Sequence, residues 1–328
     1  MKKNIWIVFL SLMSVESTPK KSIQQEWYEF QTKFRKTYMT YEDSDKRFNI
    51  FRENFGKIQL HNQLHFAGRI DHKQGITPFT DWTSEEFSGF INDNKLKLKK
   101  RGEKHYFKNN SILPEFVDWR LQGAVSEVKD QGHCGSCWSF SATGAIEGQA
   151  KLSLGKLISL SEQNLIDCAT EDYGNLGCNG GDTNAAFDYV RDNGIEEEYE
   201  YPYVAKQGKC LQKNAKLYVT RYYFVEKNEE ALKEAVALNG PISVGIEATV
   251  NLQNYAGGVY FDDTCTYNIN HGVLVVGYGI ENERPYWLIK NSWGSSWGEQ
   301  GYLKLARNQY NNCQVASMAS FPLVKNES

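Results

Sequence analysis

The stretch Gln131-Gly132-His133-Cys134-Gly135-Ser136-Cys137-Trp138 decides how the rest of the chain is read. Gly132 and Gly135 free the backbone for a tight turn. The run that follows, from Ser139 to Ala150, is small and apolar (Ala142, Gly144, Ala145, Ile146, Gly148). Its composition predicts a buried helix against which a second layer packs closely. Cys137 then falls in the first turn of that helix. Unpaired N–H groups and the positive dipole end there favour a thiolate, which is the reactive form of cysteine.

Cysteine parity points to the same region. The chain has seven: Cys134, Cys137, Cys168, Cys178, Cys210, Cys265 and Cys313. In an oxidising compartment six pair and one stays free. Six cysteines allow 15 pairings, so spacing alone does not say which one is left over. The N-terminus supports such a compartment. Lys2-Lys3 precede the apolar run Ile5–Met13 and then the small residues near Val15-Glu16-Ser17. That is the pattern of a secretory signal peptide over 1–17, too short to span a bilayer. The expected location is the secretory pathway, ending in a lysosome or outside the cell, a gut lumen included.

Bulk properties narrow the class further. A chain of 328 residues, 41% hydrophobic and 13% aromatic, can bury a sizeable core. A net charge of −3 makes no electrostatic case for nucleic acid or an anionic membrane as partner. The cysteines and histidines lack zinc-ligand spacing, so neither a metal nor any other cofactor is expected.

A reactive thiolate needs a base and a group to orient that base. Of six histidines only His133 and His271 lie beyond residue 112. His133 is four residues from Cys137 at a turn and cannot easily meet its sulfur. His271 opens the apolar run Gly272–Gly277, read as a buried strand. Tyr286–Lys290 reads as another, followed by Asn291-Ser292-Trp293-Gly294. A C-G-[SA]-C-[WY] motif followed about 130–150 residues later by His and Asn is the papain/cathepsin signature. On Cys134–Trp138, His271 and Asn291, the chain resembles a papain-like cysteine protease of the cathepsin L type.

The resemblance extends upstream. Residues 24–62 show helical periodicity in Trp27, Phe30, Phe34, Phe48, Phe51, Phe55 and Ile58. Asp43, Arg47, Phe51, Asn54, Ile58 and Asn62 resemble the ERFNIN pattern of cathepsin L-type propeptides, with Asp in the first position. Gly75, Thr77, Phe79 and Asp81 resemble the G-x-N-x-F-x-D motif, with Thr77 replacing an Asn amide. An inhibitory propeptide over 18–112 is therefore expected, with a mature peptidase domain over 113–328. The basic run Lys95–Lys104 lacks interleaved aromatics and reads as a solvated, cleavable linker. Asn109-Asn110-Ser111 on it is a glycosylation sequon.

The resemblance implies roles residue by residue. Cys137 would be the nucleophile, His271 its base and acid, Asn291 the orienter of the imidazole. Gln131 and the Cys137 N–H would bind the oxyanion. Trp293 would shield the His–Asn contact and form the primed side with Trp297. Gly180 and Gly181 would line the substrate backbone, while Thr183, Gly245, Ile269, Gly272 and Met318 surround the S2 pocket. Apolar Met318 implies a hydrophobic P2 side chain. Asp182 reads as a solvated surface charge with a subsidiary option of favouring basic P3. The implied disulfides are Cys134–Cys178, Cys168–Cys210 and Cys265–Cys313. The implied fold is α+β, a papain-like two-domain fold with a helical half, a β-barrel-like half and a cleft between them. A thiol–disulfide oxidoreductase using Cys134 and Cys137, and a catalytically silent binding homologue, are the competing readings. Expected partners are peptide substrates, the propeptide itself as acid-released inhibitor through carboxylates such as Asp81, and cystatin-type inhibitors of a monomer.

Overall fold

The computed structural model describes residues 21–92, 103–104 and 112–326. The expected signal peptide, most of the basic linker and the Asn109 sequon lie outside the described residues.

The N-terminal segment folds as α1 (Ile23–Lys33), α2 (Tyr41–Phe66), β1 (His72–Gln74), α3 (Ser84–Asn92) and β2 (Glu103–Lys104). Then come β3 (Val117–Asp118), α4 (Cys137–Leu154), α5 (Glu162–Cys168) and α6 (Thr183–Asn193). The rest is β4 (Leu217–Phe224), α7 (Glu229–Asn239), β5 (Ile242–Ile246), β6 (Tyr255–Tyr260), β7 (His271–Glu281), β8 (Arg284–Lys290), β9 (Tyr302–Ala306) and β10 (Ala319–Asn326). Sequence reading did not single out α7, β4 or β10. In β10 the cause is Pro322, which removes a ladder donor and argues against a strand. It is accommodated opposite Tyr222 of β4.

Helix starts follow from side-chain caps. Ser22, Thr40, Ser161, Asp182 and Asn228 each accept a backbone N–H at the start of α1, α2, α5, α6 and α7. Thr83 and Glu86 form a reciprocal capping box at α3. Helix α4 differs, because Ser136 makes no capping bond. Its hydroxyl is engaged with Tyr203 and the Cys134 carbonyl instead. The positive end of α4 is thus left to Cys137.

The strands form one sheet in the order β1-β6-β9-β8-β7-β5-β10-β4-β2, with β3 paired to β7. Both edge strands come from the N-terminal segment. β1 lies antiparallel on β6 and β2 parallel on β4.

Two cores meet at β7 and β8. Val273, Val275, Trp287 and Ile289 face one core with Ile242, Trp293 and Leu303. Leu274, Val276, Tyr286 and Leu288 face the other with Trp138, Ile146, Phe187 and Leu217. Period-two alternation divides a continuous apolar run between two cores, as expected for strands buried on both faces. Gly144 of α4 faces Leu274 so closely that a Cβ would lie 2.8 Å from its Cδ2, which is why the helix sequence is rich in small residues.

Candidate active site

Cys137 and His271 come from different layers, and one backbone contact joins them. The Gly272 backbone N–H lies near enough to the Cys137 sulfur to favour its thiolate. A Cβ on Gly272 would stand only 3.2 Å from the Cys137 carbonyl oxygen, so glycine permits the approach of β7 to the start of α4. Both Cys137 and His271 are fully buried.

The imidazole is held from one side. His271 Nε2 lies 2.8 Å from Asn291 Oδ1, and the same oxygen accepts the Ser292 N–H at 2.8 Å. An oxygen that accepts that amide proton identifies Asn291 Oδ1 as the acceptor, so Nε2 carries the ring proton. Nδ1 is then the basic nitrogen, and it is buried with no hydrogen-bond partner. The Trp293 indole stacks on the ring at 4.9 Å and 26°, and Trp297 meets Trp293 edge-on at 4.8 Å. Burial pushes the Cys137 thiol up to about 12 and the His271 imidazole down to about 4. Burial in the closed site therefore favours the neutral forms of both groups.

Gln131 is locked in place. Its Oε1 accepts the Ser292 hydroxyl at 2.7 Å, its N–H donates to Ser292 O, and its own carbonyl accepts the Tyr203 hydroxyl. The amide NH₂ therefore points the other way, donating to Cys134 O at 3.0 Å and keeping a second proton. Sequence reasoning missed both supports. Ser292 sat unnoticed inside the Asn-Ser-Trp motif, and nothing in the sequence links Tyr203 to Gln131.

Gly245, Ile269 and Met318 converge: a Cβ on Gly245 would meet Ile269 at 2.7 Å and Met318 Cε at 3.3 Å. Gly245 also pairs with Gly272 in the β5–β7 ladder. Gly180 has φ +100, a conformation open to glycine. A Cβ on Gly181 would strike the Trp138 ring at 2.6 Å. Thr183 opens α6 on the helical side and is buried. Trp297 lies in the core behind Trp293, its indole N–H donating to Leu252 O. Asp182 is not a solvated charge. It is 2% exposed and caps α6 by accepting the Asn184 N–H.

The three disulfides are Cys134–Cys178, Cys168–Cys210 and Cys265–Cys313, and Cys137 is the free cysteine. With Cys134 bonded to Cys178, the Cys134-Gly-Ser-Cys137 segment is no redox dithiol.

The N-terminal segment closes the cleft. Phe79, Phe87 and Phe90 surround Trp293 with ring centroids at 5.5–5.8 Å, and Trp82 stacks on His133 at 5.3 Å. Polar contacts fix the register. Gln253 Nε2 donates to the carbonyls of Phe79 and Trp82, and Thr80 Oγ1 donates to Asn254 Oδ1. The Thr77 hydroxyl donates to Gln253 O and accepts the Phe79 N–H, so this hydroxyl makes bonds both within the loop and across the seam. On α2, Asn54 donates to Thr80 O and Trp82 O, and Arg47 to Asp81 O and Glu86. Asp81 departs from expectation. Its carboxylate accepts from Lys36 and Tyr38, so it ties the N-terminal segment to itself rather than to the domain it covers.

A buried thiol at an uncapped helix start, an Asn-held imidazole and a cleft covered by the chain's own N-terminus define a cysteine peptidase in its inhibited form. The chain belongs to the papain family of cysteine proteases, whose profile matches residues 113–323, while that of the cathepsin propeptide inhibitor domain matches 27–87. Within the family it is a cathepsin L-type zymogen. It is 43% identical to cathepsin L of Sarcophaga peregrina over 98% of this chain and all of that one. It is also 43% identical to cathepsin S of Bos taurus over 97% and 98% of the two chains. Digestive procathepsin L 3 from the larval midgut of Tenebrio molitor superposes with a TM-score of 0.87 at 44% identity, over 92% of this chain and 99% of that chain. The protein is a peptidase acting on peptide substrates, with its propeptide as intramolecular inhibitor.

Proposed function

We propose that Cys137 cleaves peptide bonds through an acyl-enzyme once the propeptide has left. Its sulfur attacks the scissile carbonyl carbon and its proton passes to His271 Nδ1. The C–N bond then breaks, and that proton goes to the departing amine. Water, deprotonated by the same nitrogen, hydrolyses the thioester and restores the thiol. Asn291 keeps the ring in its tautomer without adding charge. The second Gln131 amide proton and the Cys137 N–H receive the oxyanion. The observation that carries this reading is the His271 ring, held by Asn291 at 2.8 Å with Nδ1 unpartnered. The test is to process the zymogen, label it with an epoxysuccinyl thiol inhibitor and map the adduct. Modification of Cys137 with loss of activity is expected, and an adduct elsewhere with activity lost refutes the assignment.

The same reading divides the chain into a signal peptide (1–17), a propeptide (18–112) and a mature enzyme (113–328), released at acid pH and working as a monomer in a lysosome or outside the cell. The three disulfides and the N-terminal apolar run support an oxidising, secretory route. Among the described residues no helix is long and apolar enough to cross a membrane. Cystatin-type inhibitors would use the face of Trp293 that Phe79, Phe87 and Phe90 vacate. Met318 beside Gly245 and Ile269 makes the S2 floor apolar, so Leu at P2 should exceed Arg by at least about tenfold in kcat/KM, measured with paired fluorogenic peptides.

A further inference from the structure

Three of the chain's six histidines gather where the propeptide joins the mature sheet. Strand β1 pairs with β6 through His72↔Gly258 and Lys73↔Gly257. The His72 ring is 8% exposed and packs edge-on against Tyr260 at 4.9 Å, with Tyr255 at 6.3 Å. From the propeptide side, α2 lays His61 on it at 4.6 Å. His61 Nε2 lies 3.1 Å from the His72 carbonyl, and His65 Nδ1 lies 2.8 Å from Ile70 O. The cluster is thus sandwiched between propeptide helix and mature strand, at a sheet edge that opens when the propeptide leaves.

We propose that this seam is an acid sensor: protonation of the His72 cluster unzips β1 from β6 and so starts propeptide release. The proposal rests on the acid-release reading above and adds groups at the seam with the mature sheet, whereas the Asp81 carboxylate bonds Lys36 and Tyr38 of the propeptide.

Of the surrounding charges only the Asp262 carboxylate favours a protonated His72, and burial together with His61 and His65 outweighs it. Beside it in the chain, Asp71 is paired with Arg284 at 3.1 Å, and Lys73 on the same strand is a like charge. On α2 the neighbours are His61 and His65. From the mature domain, Asp262 is the nearest carboxylate in influence, but it already accepts from Tyr260, Thr249 and Thr264. Glu299 is taken by the Gly258 N–H and Lys304.

Burial, reinforced by His61 and His65, lowers His72 from the ordinary 6.5 to about 4, and burial lowers His61 too. A group held below its ordinary value favours docking while neutral. The contribution of neutral His72 is fully present well above pH 6.5 and is lost as pH falls towards 4. For His72 alone, linkage between 6.5 and about 4 weakens docking about 30-fold at about pH 5. An imidazole suits this trigger because it charges in the interval between secretion and an acidic compartment.

The test uses the full zymogen. In active protein, processing rate is followed from about pH 7 to about pH 4.5. In a Cys137→Ala background, which cannot cut itself, amide exchange of residues 72–74 is followed over the same range. Wild type should open and process faster as pH falls. His72→Phe, which keeps the ring and removes the titration, should lose most of the roughly 30-fold gain near pH 5. His61→Gln, at a less buried position, should lose part of it and serves if His72→Phe does not fold. Unchanged pH profiles in the variant that folds, with wild type still acid-activated, overturn the sensor while leaving acid release intact. Wild type that processes equally fast at both ends overturns acid release and the sensor together.

Discussion

At the scale of single residues, closure inverts the chemistry that the open enzyme needs. A papain-type cysteine titrates at about 3–4 and a free one at about 8.5, a gap of roughly 6–7 kcal/mol at 1.36 kcal/mol per unit. A helix terminus supplies at most about 2 kcal/mol of that, so on the mechanism proposed above the imidazolium of His271 supplies most of it. Burial in the zymogen pushes Cys137 up to about 12 and His271 down to about 4, which works against the ion pair. His271→Ala in processed enzyme should therefore cut kcat/KM by about 10²–10⁴ and slow iodoacetamide alkylation of Cys137 at neutral pH. Undiminished alkylation would mean that something other than His271 ionises the sulfur.

Among the elements, α4 and α5 depend on a buried ion cluster that joins them to the loop before the active-site turn. Lys129 Nζ contacts Glu162 Oε2 at 2.7 Å, Leu160 O at 2.8 Å and Glu198 at 3.3 Å. Glu162 is 2% exposed and also accepts the Thr143 hydroxyl of α4. Burial alone would lower Lys129, but the Glu162, Glu147 and Glu198 carboxylates outweigh it and keep the ammonium charged. Lys129→Met strands Glu162 without a cation and should cost about 3–5 kcal/mol, read as a lowered Tm of the zymogen. A Tm within a degree of wild type would show that the cluster contributes nothing net. Helix α4 itself was legible in sequence, because the small residues of 139–150 are a local signal. The role of Asp182 was misread because a cap and a surface charge look alike until burial is known.

For the whole molecule, the propeptide is a structural layer of the sheet it inhibits. It contributes the edge strand β1 and places Phe79 and Phe87 in the core cluster that holds Trp293. Backbone pairing at the edge makes affinity, and the Thr77, Thr80 and Gln253 bonds set register. Thr77→Val deletes the bond to Gln253 O and leaves a buried carbonyl short of a donor, a cost of about 1–3 kcal/mol. Processing at neutral pH should accelerate in this variant. If it does not, Thr77 is not part of the latch.

What the sequence by itself determined is the set of chemical parts: the odd cysteine, the helix that presents it, the His and Asn at strand ends, and a helical leader with its own motif. Those signals are local, carried by residue type and by periods of two or about 3.6, so they survive without coordinates. Only the tertiary structure decided that β7 divides its side chains between two cores, that Ser292 and Tyr203 aim Gln131, and that three histidines converge on one seam. Each of these is a contact between residues far apart in the chain, and no local pattern encodes which distant strand will lie alongside.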